Sequence, residues 1–131
     1  MKDELLGLTA MSAIFGALSL VVFYFLIFEM FNKKTAIMST MILGVTPLFW
    51  LNSLQVLTDI TGLFFILLLI YFIYYFIKYK KIKSLYIGSF VSAIAIGVRF
   101  HALFVAVPLL VYSYFKMENK RKIFQVLFIF L

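Results

Sequence analysis

Residues 84–115 read SLYIGSFVSAIAIGVRFHALFVAVPLLVYSYF, an apolar segment with one charged side chain, Arg99, near its centre. A continuous helix over this segment would be about 48 Å long, whereas the hydrocarbon core of a bilayer is about 30 Å thick. Because Lys83 and Lys116 flank the segment, a straight helix would also put basic residues on both sides of a membrane. Short basic loops stay cytoplasmic. The segment is therefore predicted to split at Arg99 into two short helices, 84–98 and 102–115, that form a hairpin.

The other basic residues support this topology. Apart from Lys2 and Arg99, the twelve Lys and Arg residues form three clusters: Lys33 and Lys34; Lys78, Lys80, Lys81 and Lys83; Lys116, Lys120, Arg121 and Lys122. The positive-inside rule places all three clusters on the cytoplasmic side. The eight tyrosines lie in the half of their segment nearest a lysine cluster, as in an interfacial aromatic belt. Asp59 and Arg99 are then predicted to lie on the extracytoplasmic side.

Composition limits the class of protein. The chain is 66% hydrophobic and only 13% charged, with a mean hydropathy of +1.14. A soluble domain of this size could not cover that much apolar surface, so an integral protein of the plasma membrane is predicted. The net charge of +7 lies in loops between spans, which favours contact with anionic lipid over nucleic acid. The absence of cysteine and the single histidine exclude thiolate sites and argue against a histidine metal site.

The predicted fold is all-α, a polytopic transmembrane helix bundle with about five spans and the start of a sixth. The predicted spans are 5–31, 35–51, 60–77, 84–98, 102–115 and 123–131, the last of them incomplete. Together they form a single transmembrane domain, 1–131, which we interpret as a fragment of a longer chain. Pro47 is expected to bend the second span. Small residues are expected to form a close-packing face on the fourth span: Gly88, Ser89, Ser92, Ala93 and Gly97.

Three polar residues are candidates for a functional site. Arg99 lies near or below the membrane interface, where an unpaired cation is costly, and its guanidinium suits a lipid phosphate or Asp59 as partner. It could instead end a short helix and reach outward to water. Asp59 could simply favour a helix start after Thr58, or it could position a substrate or bind a metal ion. His101 is either a substrate-binding residue or an interfacial hydrogen-bonding residue.

A series of motifs follows the same order as these features. The series is Phe31-Asn32-Lys33-Lys34, Thr46-Pro47-Leu48-Phe49, Thr58-Asp59, Gly88-Ser89-Phe90, and Ile96-Gly97-Val98-Arg99-Phe100-His101-Ala102-Leu103, with Pro108 beyond. From about Leu6 to Lys122, this order resembles the GT-C superfamily of membrane glycosyltransferases. Within that superfamily it is most similar to the protein mannosyltransferase and aminoarabinose transferase branch.

The resemblance implies transfer of a sugar from a polyprenyl-phosphate-linked donor to a lipid, glycan or protein on the extracytoplasmic face. It implies that Arg99 lies near the carrier phosphate and that Asp59 organises the site, in some members through a divalent metal ion. The family's catalytic carboxylate lies in an earlier, long outer loop, which Asp3 and Glu4 do not match. No catalytic residue is therefore assigned, and the chain alone is expected to be inactive.

The residues alone are also consistent with a second function. Small-residue faces, a kinked helix and a broken hairpin also occur in transporters. The alternative to a glycosyltransferase is therefore a non-enzymatic small membrane subunit or a transporter fragment, in which Asp59 would pair with Arg99 inside the bundle.

Overall fold

The computed structural model describes the backbone of residues 2–54 and 58–116 and the side chains of residues 6–51 and 59–116. Within these ranges the chain is helical: α1 (Lys2–Met30), α2 (Lys33–Val45), α3 (Pro47–Leu54), α4 (Thr58–Tyr79), α5 (Ile82–Val98), a 3-10 helix (Phe100–Ala102) and α6 (Leu103–Phe115). The all-α prediction is confirmed. The predicted incomplete span 123–131 and the basic residues Lys120, Arg121 and Lys122 lie outside the described residues.

Two of the described helices are long and apolar enough to cross a membrane, over Leu6–Met30 and Asp59–Tyr79. They correspond to the first and third predicted spans. Two shorter apolar helices cover Ile82–Val98 and Phe100–Phe115. The full number of predicted spans remains a prediction.

The chain divides into two compact units, Met1–Leu67 and Leu68–Leu131, and α4 runs through the boundary between them. The first unit holds α1, α2, α3 and the beginning of α4. The second unit holds the rest of α4 together with α5 and α6. The prediction of a single transmembrane domain over 1–131 stays a prediction.

In the first unit, α2 and α3 both pack against α1. A two-residue link, Phe31 and Asn32, turns the chain from α1 into α2, and the Asn32 side chain accepts a 2.9 Å hydrogen bond from the backbone N–H of Thr35. This contact is a standard N-cap, which satisfies a donor that the helix leaves unused. The basic residues Lys33 and Lys34 therefore belong to the first turn of α2 and are exposed.

The prediction that residues 35–51 form a single helical span is wrong. The expected bend at Pro47 is a full interruption at Thr46, whose backbone is extended with φ −62° and ψ 121°. A residue before proline avoids helical angles because the proline ring clashes with it. Pro47 itself takes the first position of α3, where its missing N–H costs nothing.

Side chains satisfy the carbonyl oxygens that α2 leaves open at this interruption. The Thr46 hydroxyl donates a 2.8 Å hydrogen bond to the carbonyl of Ile42, and the Trp50 indole donates one of 2.8 Å to the carbonyl of Gly44. The last four carbonyls of a helix have no partner within that helix. The two side-chain donors therefore stabilise the break. The Trp50 side chain is 59% exposed, as is usual for a tryptophan at a membrane interface.

In the second unit, α5 packs tightly against the later turns of α4. A Cβ placed on Gly88 would lie 3.5 Å from the Cβ of Phe72 and 3.7 Å from Ile73. The Ser84 hydroxyl donates a 2.7 Å hydrogen bond to the main-chain oxygen of Phe72. Next to this contact, Phe76 and Leu85 form a small buried core. Close approach through small residues is the usual packing of membrane helices.

The small-residue face predicted for α5 is confirmed in part. Gly88, Ser89 and Ser92 are buried. Gly97 is exposed, and a Cβ built there meets no atom within 4 Å, so its assignment to the packing face is wrong. Gly88 and Gly97 are nine residues apart, which at about 100° per residue puts them on opposite sides of the helix.

Candidate functional site

The helix breaks at the charged residue, as the sequence predicts. Arg99 ends α5 with extended backbone angles, φ −145° and ψ 115°. Its N–H donates to the carbonyl of Ala95 at 2.9 Å, and its own carbonyl accepts from the N–H of Ala102 at 2.9 Å. The Arg99 N–H thus makes the last backbone hydrogen bond of α5, and the Arg99 carbonyl accepts the first one of the following 3-10 turn. The break requires no proline.

A hydrogen bond at the other end of α5 shows that the two helices form a hairpin. Lys80, two residues before α5, donates from Nζ to the main-chain oxygen of Lys116, the residue after α6, at 3.1 Å. Helices α5 and α6 also contact each other. Because the start of α5 meets the end of α6, the helices are antiparallel and Arg99 lies at the opposite end. The 17 residues of α5 place that end about 25 Å away.

The tip of the hairpin is formed by Arg99, Phe100 and His101, all of which are exposed. Ala102, directly after them, is 1% exposed and anchors the turn. The structure therefore brings two of the predicted site residues, Arg99 and His101, to one end of the second unit. Their guanidinium and imidazole groups are two residues apart on the tip, where both can donate hydrogen bonds to an anion.

Two helix ends with opposite dipoles meet at this tip. The C-terminal end of α5 carries partial negative charge, which favours the Arg99 side chain. The apolar helical stretch Phe100–Phe115, made of the 3-10 helix and α6, begins there with partial positive charge, which favours an anion. The two dipoles largely offset each other, so the formal charge of Arg99 decides the sign of the local potential.

Asp59 lies in the first turn of α4, as predicted. The residue is partly buried, its Oδ1 atom is shielded from solvent, and the next residue, Ile60, is 2% exposed. The N-terminal position favours a carboxylate through the helix dipole. Helix α4 has 22 residues, with Asp59 in its first turn and Lys78 in its last turn. Asp59 belongs to the first unit and Arg99 to the second, and the predicted pairing of the two stays a prediction.

The described residues do not fit a metal ion. No group of three His, Cys, Asp or Glu side chains comes together within residues 6–51 and 59–116. The acidic side chains described are Glu29 and Asp59. A divalent ion held by protein ligands needs several oxygen donors. The metal role predicted for Asp59 therefore finds no support in this part of the chain.

A groove that was not predicted from the sequence lies at the basic end of the second unit. Its walls include Tyr71 and Tyr75 from α4 and Lys81, Lys83 and Ile87 from the start of α5. The tyrosine belt was interpreted only as a signal of orientation, and the lysine cluster as a signal of orientation and of contact with anionic lipid. The spacing of Tyr71 and Tyr75, one helical turn apart, was the available signal that both face the same neighbour.

Comparison with models of known protein families found a match. The model of the dolichyl-phosphate-mannose-protein mannosyltransferase family matches residues 1–131. No curated protein and no solved structure matches the chain.

Proposed function

The chain belongs to the dolichyl-phosphate-mannose-protein mannosyltransferase family, and we propose that it forms part of an integral membrane glycosyltransferase. In this proposal the enzyme transfers a sugar from a polyprenyl-phosphate-linked donor to a lipid, glycan or protein acceptor on the extracytoplasmic face. The observation that carries the proposal is the position of Arg99 at the tip of the α5–α6 hairpin.

The depth of the tip supports a role in binding the carrier. Lysines 78, 80, 81, 83 and 116 lie at the base of the hairpin, and basic ends of spans lie on the cytoplasmic side. With the base at that surface, a helix of about 25 Å ends just short of the far side of a core about 30 Å thick. A cation at that depth favours the approach of an anion. The phosphate of a membrane-embedded carrier is an anion at the same depth.

The chemistry of Arg99 suits this partner. Its guanidinium presents parallel N–H donors that match two phosphate oxygens. His101 lies on the same exposed tip and supplies a further donor to the carrier or its sugar. In this proposal the two residues bind and orient the donor, and neither exchanges a proton with it.

The proposed position of Asp59 follows from α4. The helix has Asp59 in its first turn and Lys78 in its last turn, so a cytoplasmic Lys78 places Asp59 on the extracytoplasmic side. There the carboxylate organises the site by accepting hydrogen bonds from sugar hydroxyls or from the acceptor. Because the described residues do not fit a metal ion, no step is assigned to one.

The test is substitution of Arg99 in the intact protein, with transfer measured from a polyprenyl-phosphate-linked sugar. Removing a hydrogen-bonded charge in Arg99→Ala should lower kcat/KM for the donor about 10- to 100-fold, whereas Arg99→Lys should keep part of the activity. The KM for the acceptor should stay the same. Lys34→Ala, which removes an exposed cation from α2, is the matched control and should transfer normally.

The results for Arg99→Ala distinguish a role in binding the phosphate from a structural role. Full activity of Arg99→Ala would contradict the phosphate role. Loss of activity together with loss of folded protein, judged by thermal unfolding, would indicate that Arg99 is structural. Selective weakening of donor use in a folded variant would support the proposal. Family membership favours this function over the transporter alternative, although interrupted helices occur in both.

A further inference from the structure

A groove of about 310 Å³ lies between α4 and the start of α5, at the basic end of the second unit. We call it the Tyr–Lys groove. Its lining includes Tyr71, Tyr75, Lys81, Lys83, Ser84 and Ile87. The bond from the Ser84 hydroxyl to the main-chain oxygen of Phe72 fixes the two helices on either side of it.

The rim of the groove is strongly cationic. Lys81 and Lys83 are exposed, and the chain has no Asp or Glu from residue 68 to residue 116. Lys81 is the N-cap residue of α5 and makes no side-chain cap hydrogen bond, and the first turn of α5 contains no acidic residue. The helix therefore starts with partial positive charge beside two ammonium groups, an arrangement that an anion from outside this stretch would stabilise.

Aromatic rings hold one of these cations at the groove. The Lys81 Nζ lies 5.6 Å from the centroid of the Tyr75 ring and donates a 3.4 Å hydrogen bond to the Tyr75 hydroxyl. The Tyr75 ring in turn packs on Tyr79, with centroids 4.4 Å apart. Cation–π contact and packing of this kind limit the movement of a flexible lysine. The ammonium is thereby placed before a ligand arrives.

An apolar strip continues from the cationic rim along α5. Lys83, Ile87 and Phe90 are spaced i, i+4 and i+7 and so lie on one face of the helix. Ile87 is 46% exposed and Phe90 is 59% exposed. A ligand that uses both parts has an anionic head and a hydrocarbon tail running toward the hairpin tip. A free phosphate or a nucleic acid would leave the apolar strip uncovered.

We propose that the Tyr–Lys groove binds the phosphate headgroup of an anionic glycerophospholipid, with an acyl chain along Ile87 and Phe90. The lipid stabilises the base of the hairpin from the side on which the lysines lie. This proposal concerns the opposite end of the hairpin from Arg99 and does not rest on the glycosyltransferase function.

The test is native mass spectrometry of the intact protein released from nanodiscs that contain phosphatidylglycerol and phosphatidylcholine. A lysine near an anionic lipid surface contributes about 1 kcal/mol, which corresponds to about five-fold in affinity. The Lys81→Gln/Lys83→Gln variant should therefore retain phosphatidylglycerol at least about ten-fold less well than the unmodified protein. The matched control, Lys33→Gln/Lys34→Gln, removes two exposed lysines from the start of α2 and should retain the lipid normally.

Two further experiments distinguish a loss of charge from a loss of folding, and the binding of lipid from the binding of free phosphate. The Lys81→Arg/Lys83→Arg variant keeps both charges and should retain phosphatidylglycerol. Glycerol 3-phosphate, which has the headgroup chemistry without acyl chains, should not displace the lipid at millimolar concentration. Equal retention by the Gln variant and the unmodified protein would overturn the proposal. Equal loss in the Lys33/Lys34 control, or displacement by glycerol 3-phosphate, would overturn it as well.

Discussion

Two interruptions of helical structure, at Thr46 and at Arg99, have opposite consequences for the path of the chain. After Thr46 the chain continues along α1, so α2 and α3 pack on the same neighbour. After Arg99 the chain turns back, and the end of α6 returns to the start of α5. The first interruption separates two helices that share one neighbour, whereas the second turns an overlong apolar segment into a hairpin.

The difference shows that proline is a poor guide to where this chain reverses. Pro47 follows the first interruption, no proline is present at the second, and Pro108 lies inside α6 without ending it. At Thr46 side-chain donors satisfy the open carbonyls. At Arg99 the reversal agrees with the sequence-based expectation, in which the length of the segment and the basic residues at both of its ends rule out a single membrane pass.

The largest expected effect on stability is at the contact that holds the hairpin against α4. A Cβ at Gly88 already lies 3.5 Å from Phe72, so the extra carbon atoms of Gly88→Leu must displace packed groups. We expect a loss of about 1–3 kcal/mol in the free energy of unfolding, measured by denaturant titration in detergent micelles. Gly97→Leu is the matched control on the same helix and should unfold nearly normally. Equal losses at both positions would contradict the packing described here.

The position of this contact could be predicted only in part. Small residues at four-residue spacing predicted that α5 packs closely, and Gly88, Ser89 and Ser92 do so. The same pattern wrongly included Gly97. Spacing gives the relative rotation of residues on a helix, but the partner helix decides which face is covered. The sequence showed nothing of where α4 would lie.

A smaller effect is expected at the link between α4 and α5. Lys80 has φ 55°, in the left-handed region, and its N–H donates to the carbonyl of Phe76 at 2.7 Å. A side chain is strained in this conformation, and glycine is not. Lys80→Gly and Lys80→Ala both remove the Nζ contact with Lys116, so the difference between their stabilities reports the relief of backbone strain less the greater freedom of glycine in the unfolded chain. We expect the glycine variant to be more stable by about 1 kcal/mol in the same titration. Equal stability of the two variants would contradict a strained backbone at this position.

The smallest effect is expected at the first interruption. Thr46→Val removes the hydroxyl that donates a hydrogen bond to the carbonyl of Ile42. The substitution should lower the free energy of unfolding by about 0.5–1 kcal/mol. Thr40→Val is the matched control, because the Thr40 hydroxyl bonds to the carbonyl of Ala36 within a continuous turn of α2. That carbonyl keeps its helical backbone partner after the substitution. A larger cost at Thr40 than at Thr46 would contradict the account of how the break is stabilised.

The candidate site was more predictable at one end of the hairpin than at the other. A lone charge in a segment too long to span predicted both the break at Arg99 and its place at a tip. The Tyr–Lys groove was missed because it depends on which tyrosines of α4 meet the first turn of α5. That contact is set by the short link at Lys80 and Lys81, whose conformation no charge pattern predicts.

The hairpin itself can be tested by one distance measurement. The chain contains no cysteine, so nitroxide labels can be attached to cysteines introduced at Lys81 and Lys116, and their separation measured by double electron–electron resonance. Packed antiparallel helices have axes about 8–10 Å apart, so the labels should lie within about 25 Å of each other. A single straight helix would separate them by about 50 Å. The short distance is the result predicted here, and the long one would contradict the reversal at Arg99 and the site built on it.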